Sequence, residues 1–249
     1  MTTVLVTGMS GLIGGALRKH LEGRHALRAL NRKPVEGVPC YQADIADLDA
    51  IQPAFAGVEV VVHLAALAGS RFTLGELLGP NIVGTYNVFE AARRAGVKRV
   101  VFASSGATVS SYERDEPYRA LIADGQVSVS SGTNLTHESL VRPAGLYGCS
   151  KVWGEALARH FADEHGLSML CVRIGHVNAQ DRPIEPRQFS VWCSQRDIVR
   201  MLEACITAPP SLRFDIFFAT SRNRRGYRDL DHARTALGWE PLDAAESYR

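Results

Sequence analysis

Lysine is nearly absent from this chain: 249 residues include four, at positions 19, 33, 98 and 151. The formal net charge of +2 argues against a polyanionic partner. No basic stripe interleaved with aromatics is present, so no nucleic-acid binding is expected. The densest cationic cluster, Arg222, Arg224 and Arg225, reads as a solvated loop. No apolar run approaches the roughly 20 residues needed to cross a bilayer, so no membrane partner is expected. The five cysteines, at 40, 149, 171, 193 and 205, are odd in number and form no Cys-x-x-Cys. They read as reduced thiols in a cytoplasmic protein. No His/Cys/Asp cluster has metal-ligand spacing, and no metal is expected. An apolar strand begins within a few residues of Met1, which leaves no room for a signal peptide. Internal repeats and low-complexity tracts are also missing.

Against that scarcity, the position of one lysine stands out. Tyr147 and Lys151 stand four apart at the start of a helical pattern, which puts both side chains on one face. A phenol ionises near pH 10 and is a poor base at neutral pH. A fixed ammonium beside it favours the phenolate and suits it to acid–base work. Chance alone gives roughly 0.1 such pairs in a chain of this composition, so the pair needs support from other motifs.

The N-terminus supplies it. Val4-Leu5-Val6 has the apolar run of a buried parallel strand. It leads into Thr7-Gly8-Met9-Ser10-Gly11-Leu12-Ile13-Gly14 and then an amphipathic helix through Leu17 and Leu21. In this strand–turn–helix context Gly8 allows a tight turn, Gly11 lets the backbone approach a pyrophosphate, and Gly14 permits close helix–strand packing. The helix N-terminus offers free N–H groups and partial positive charge to phosphates. Cofactor contacts are therefore expected from Gly8, Ser10, Gly11, Leu12, Ile13 and Gly14.

Strand and helix patterns alternate downstream. Strands are expected at His25–Leu30, Val58–Leu64, Arg99–Ala103 and Met169–Ile174, and helices at Ile45–Phe55, Asn81–Ala95 and Leu146–His165. Repeated β–α units call for an α/β fold, a doubly wound parallel sheet of the Rossmann-like type, with ligands outside the carboxyl ends of its strands. Thr108–Gly145 is polar, lacks a convincing long element and reads as a long functional loop. After His176 come a Pro-rich loop, a helix over Arg196–Ile206, a strand over Phe214–Ala219 and a short helix near Ala233. Residues 1–175 are expected to form the dinucleotide-binding core, and 176–249 a small substrate-side lobe packed on it.

Other residues fit this frame. Ser104 and Ser105 end a buried strand at its carboxyl edge, and Ser105 is the better catalytic candidate. His63, inside an apolar run, reads as a core histidine, while Leu64, Ala65 and Ala66 pass the cofactor by backbone. Asn81 is expected to bond backbone near the site, with Ala103 and Ile174 completing the cofactor set. Asp44 with Ile45 suits adenine contact or, equally, helix capping. An acidic residue ending the second strand would bind the ribose of NAD; here Asn31 is followed by Arg32 and Lys33, which favours NADP over NAD, with Arg32 on the 2′-phosphate.

Together the motifs Thr7-Gly-x-x-Gly-x-x-Gly14, His63-Leu-Ala-Ala66, Asn81-x-x-Gly-Thr-x-Asn87, Ala103-Ser-Ser105, Tyr147-x-x-x-Lys151 and Leu237-Gly-Trp-x-Pro241 resemble the extended short-chain dehydrogenase/reductase superfamily, also called the NAD-dependent epimerase/dehydratase family. Within it, Tyr147 to Glu155, Val172-Arg-Ile-Gly175 and Arg187-Gln-Phe-Ser-Val-Trp192 look most like the uronate dehydrogenases. The resemblance implies an NAD(P)-dependent enzyme with a Ser105–Tyr147–Lys151 trio, acting on a sugar or sugar acid. Oxidation of a uronate to an aldarolactone is its most specific implication. It also implies that Arg187 holds the substrate carboxylate, by a guanidinium fork suited to that shape. Gly106-Ala107 stands where the relatives have Asn-His, and His176 where they have serine; Gly106 and His176 are therefore substrate-side candidates. The segment between Ser105 and Tyr147 is longer than in those relatives, and their C-terminal tail has no counterpart beyond Arg249. A homo-oligomer is expected. Two other readings stay open: a nucleotide-sugar epimerase or reductase, and a redox-sensing protein that binds the cofactor without turnover.

Overall fold

Val4, Leu5 and Val6 are fully buried in β1 (Thr3–Thr7), as a strand covered on both faces requires. The computed structural model describes residues 1–123 and 134–248. The other strands are β2 (Ala26–Asn31), β3 (Cys40–Gln42), β4 (Val60–His63), β5 (Arg99–Ser105), β6 (Ser168–Ile174) and β7 (Phe214–Ala219). Among the described residues these seven make one sheet in the order β3-β2-β1-β4-β5-β6-β7, and every pairing is parallel. The order reverses between β1 and β4, the crevice where ligands of such sheets bind.

Alternation along each strand divides the core in two. Val4 and Val6 pack with Leu17 and Leu21 of α1 (Leu12–Leu21) and with Ile198 and Leu202 of α8 (Gln195–Thr207). Leu5 faces the opposite layer, with Val88 and Phe89 of α4 (Gly84–Arg94) and Phe161 of α6 (Gly145–His165). Each such side chain contributes about 1.5–3 kcal/mol by leaving water.

Several elements differ from the sequence expectation. β3 is an extra edge strand of three residues. The helix expected over 45–55 begins only at α2 (Leu48–Ile51), where the Asp47 side chain caps Ala50 N–H at 3.0 Å, and it tightens into a 3₁₀ turn at Gln52–Phe55, which contains Pro53. The helix expected from Asn81 starts earlier, as α3 (Leu74–Leu77). A wider π-type turn over Leu78–Val83, containing Gly79-Pro80, joins it to α4. Such turns are frequent at functional sites.

Of the long polar segment, 108–123 and 134–145 are described, and 124–133 lie outside the described residues. A 3₁₀ turn, Gly106–Thr108, leads into the segment, and its described part holds a second, Ser110–Arg114, and α5 (Tyr118–Ile122). Val109, Leu121 and Leu135 from it form a satellite core with Val191 of α7 (Gln188–Val191), Phe218 of β7 and Tyr227. Beyond residue 175, α8 covers the sheet and β7 pairs with β6 from Met169↔Phe214 to Ile174↔Ala219. α9 (Asp231–Leu237) follows β7. The cluster read as a solvated loop is so only at Arg222 and Arg224; Arg225 is buried and lies 5.6 Å from the Phe189 ring centre.

Candidate active site

The sheet register brings the motif residues to one edge. Thr7 ends β1 opposite His63, and β5 runs on past its last partner in β4, so Ser104 and Ser105 project beyond the crevice beside β6. The Thr7 hydroxyl accepts from Ala65 N–H at 3.1 Å and pairs with His63 Nδ1 at 2.7 Å. His63 contacts Thr85 Oγ1 at 3.3 Å through Nε2; burial, then the charge of Lys151, hold its pKa at about 3. It is a core histidine that fixes the loop after β4.

Beside that loop lies a cleft of about 600 Å³. Gly8, Ser10 and Gly11 form one wall, Leu64, Ala65 and Ala66 another, and Asn31, Arg32, Asp44 and Ile45 its far end. Gly8 has φ +72°, and a Cβ there would come within 2.8 Å of Ala65 N. A Cβ on Gly14 would come within 2.6 Å of Met9 Cα, so this glycine lets α1 meet its own loop. A Cβ on Gly11 would meet the Gly8 carbonyl oxygen at 3.3 Å, and Gly11 caps α1 with no side chain and no acidic residue in the first turn. This cradle fits a dinucleotide: short backbone, N–H groups and a positive helix end face the cleft. Leu12, Ile13 and Gly14 open α1 next to the cleft without forming its walls.

Asn31 is not free for a ribose. Its Oδ1 accepts from Met9 N–H at 2.9 Å and its Nδ2 donates to Ser10 Oγ at 2.7 Å, so it braces the glycine loop. Asp44 Oδ1 accepts from Ala46 N–H at 2.9 Å and shapes the turn into α2. Lys33, Leu67, Glu76 and Pro80 also reach this cleft. Asn81, in the π-type turn, holds both the N–H and the carbonyl of Leu67, at 2.9 and 3.0 Å, and donates to Ser150 Oγ at 3.1 Å. It thereby ties the cofactor-side loop to α6. Asn87 holds the Ile45 carbonyl at 2.9 Å.

A second pocket of about 490 Å³ opens over Ser105 and Tyr147, and Gly106, Ile174, His176 and Arg187 also line it. The Ser105 hydroxyl lies beside the Tyr147 phenol and favours its ionised form. It also accepts from Ala107 N–H at 3.1 Å, which fixes its rotamer. Burial pushes the phenol above its ordinary value of 10.0, and Ser105 only opposes this. The depression expected from Lys151 does not dominate: its Nζ lies 5.7 Å from the Tyr147 ring centre and donates to the Ala103 carbonyl at 2.7 Å. Burial lowers the Lys151 pKa to about 8, with Glu155 pulling it back up. Glu155 holds Arg173 through two bonds, of 2.9 and 2.8 Å, and accepts from Ser104 Oγ at 2.5 Å. Beneath the site, therefore, runs a buried polar network.

Arg187 reaches the pocket, but its partner is Glu113 rather than the nearby Glu185. Nε donates to Oε2 at 2.5 Å and Nη2 to Oε1 at 2.7 Å. The Tyr227 hydroxyl donates to the same Oε1 at 2.5 Å. Burial first, then the charge of Arg187, lower the His176 pKa below its ordinary 6.5. Glu113, Ser110 and Arg228 also line this pocket, and none was singled out from the sequence. No motif signals Glu113, because its partners Arg187 and Tyr227 lie 74 and 114 residues away along the chain. Among the described residues, His137, Asp215 and His232 bring potential metal-ligand atoms within 4.8 Å of one another. The two imidazoles are stacked at 3.8 Å and 13°, so their in-plane lone pairs cannot converge on one ion in this arrangement.

Residues 4–195 match the model of the NAD dependent epimerase/dehydratase family. The NAD-dependent glucose-6-phosphate dehydrogenase of Haloferax volcanii is 34% identical over 98% of this chain and 95% of its own length. The uronate dehydrogenase of Agrobacterium fabrum is 35% identical over 100% of this chain and 88% of its own. The crystal structure of uronate dehydrogenase from Agrobacterium tumefaciens superposes with a TM-score of 0.84 at 34% identity, covering 100% of this chain and 87% of that one.

Proposed function

Because the chain belongs to the NAD-dependent epimerase/dehydratase family, we propose that it oxidises a free sugar or sugar acid at a hydroxyl held over Ser105 and Tyr147, with a nicotinamide dinucleotide in the neighbouring cleft. The observation that carries this is the placement of Ser105 and Tyr147 together in the lining of one pocket, with the glycine cradle forming the wall of the neighbouring cleft. When bound, the cofactor accepts the hydride. Tyr147, once ionised to the phenolate, takes the hydroxyl proton, and Ser105 orients the reacting oxygen. Lys151, held at the Ala103 carbonyl, adds positive charge on the cofactor side and is placed to exchange that carbonyl for a ribose hydroxyl. Residues 176–249 supply the substrate side through His176, Arg187 and the loop before α9.

Both named relatives act on a sugar carrying an anionic group, a carboxylate or a phosphate. A hexuronate, oxidised to its aldarolactone, is the specific substrate favoured here. NADP is favoured over NAD because Arg32 and Lys33 line the far end of the cleft, and the residue ending β2 is an amide engaged with the loop. Identifying the product from a hexuronate with each cofactor tests this reading. A lactone formed with net cofactor reduction supports it. An epimer formed without net reduction returns the nucleotide-sugar class of activity.

A further inference from the structure

Resting on that reading, we infer that Arg228 is the residue that receives the anionic group of the substrate, and that Gly106 is glycine to give its guanidinium room. Arg228 is 5% exposed, yet it lines the pocket that contains Ser105 and Tyr147. An arginine keeps its charge at any accessible pH, and a buried charge is ordinarily paired. Here Nε and Nη1 are both shielded from solvent and, among the described residues, neither has a hydrogen-bond partner. The aromatic rings of Tyr227 and Phe218, 5.5 and 5.9 Å from Cζ, hold the planar group without offering an in-plane acceptor.

The other charges of the pocket do not satisfy it. Glu113 takes Arg187 on both oxygens and the Tyr227 hydroxyl on one. His176 is held toward its neutral form, burial being the larger cause. One Arg–Glu pair and one further guanidinium leave the substrate side with a single excess positive charge. The ligand chemistry that answers this is an oxyanion with two acceptor oxygens, a sugar carboxylate or a sugar phosphate.

Gly106 supports the assignment independently. It is not among the glycines with positive φ, so the backbone does not demand glycine there. Its virtual Cβ lies 2.5 Å from Arg228 Cζ, so any side chain at 106 would displace the guanidinium. Glycine beside the catalytic serine and an arginine entering from the loop before α9 thus fit together in this pocket.

The test uses the purified full chain with cofactor, a hexuronate, the matching neutral aldose and a hexose 6-phosphate. The wild type should prefer one of the two anionic sugars to the neutral one, and which of them wins separates carboxylate from phosphate. Arg228→Met should lower the ratio of kcat/KM for that anionic sugar over the neutral aldose about ten-fold to a hundred-fold, mainly through KM. Gly106→Ala should move the ratio in the same direction, and Arg228→Lys should lose less than Arg228→Met. Calorimetric titration of the preferred anionic sugar into wild type and Arg228→Met reads binding without turnover. Thermal melting checks that each variant is folded. Equal loss for anionic and neutral sugars, or a wild type indifferent to the anion, overturns the inference while leaving the oxidoreductase reading standing. Binding lost in Arg228→Met, in a protein that oxidises no sugar, upholds Arg228 and overturns the reaction.

Discussion

Glu113 grips Arg187 through both carboxylate oxygens, at 2.5 and 2.7 Å, inside the pocket that holds Ser105 and Tyr147. The arginine that the family resemblance implies for a carboxylate therefore already has one, from the segment between Ser105 and Tyr147. Arg187→Ala would leave Glu113 facing an acidic substrate without its counter-charge. Its KM for such a substrate should rise about ten-fold to a hundred-fold, and far less for the neutral aldose. Adding Glu113→Gln to that variant should recover part of the loss, a coupling that a double-mutant cycle reads directly. Additive effects of the two changes would deny the coupling.

Tyr147→Phe should keep the fold and cofactor affinity and lower the oxidation rate by at least ~10²-fold, the usual worth of a positioned acid–base group. Burial raises the phenol pKa in the cofactor-free protein, so kcat/KM for oxidation should climb with pH across the neutral-to-alkaline range. A variant turning over near the wild-type rate would remove Tyr147 from the mechanism.

Lys151 gives a stability signature. Its pKa is lowered from 10.5 to about 8, so between those values the unfolded chain binds the proton and the folded one does not. Stability from this group therefore rises with pH through that window, by on the order of 3 kcal/mol for a shift of this size. Lys151→Met should flatten the stability profile there, as chemical denaturation at a series of pH values would show, and it should also weaken cofactor binding. An unchanged profile would mean the ammonium is not desolvated.

The network beneath the site should be costly to break from one side. Glu155→Gln leaves Arg173, 1% exposed, without its carboxylate and should destabilise the protein by about 3–5 kcal/mol, read by denaturant unfolding. A loss within the error of the measurement would mean the arginine finds another partner.

Much of this architecture was legible in the residues. The apolar runs at Val4-Leu5-Val6 and Arg99–Ala103, the glycine spacing and the Tyr147–Lys151 interval are local signals, and local signals place the crevice and its floor. β3 was not legible, because three residues at an edge have no alternation to read. The start of α2 slipped because Asp44 shapes a turn and Asp47 does the capping. Glu113, Tyr227 and Arg228 escaped notice for a different reason: Glu113 meets Arg187 and Tyr227 across separations of 74 and 114 residues, which no spacing rule spans. The cationic loop misled because arginine composition alone cannot separate a solvated Arg222 from a buried Arg225.

The proposed preference for NADP rests on Arg32. Catalytic efficiency with NADP should exceed that with NAD, and Arg32→Ala should erase the difference by acting on the NADP value. A clear NAD preference untouched by Arg32→Ala would assign the exposed cations at 32 and 33 no role in recognition.

The most direct measurement is stoichiometry: moles of reduced nicotinamide released into solution for each mole of sugar consumed by the wild-type protein. Net oxidation at the hydroxyl over Ser105 and Tyr147 requires one for one, sustained over many turnovers with free cofactor in excess. Sugar converted with no reduced cofactor accumulating would contradict it, as would a cofactor-bound protein that leaves every sugar unchanged.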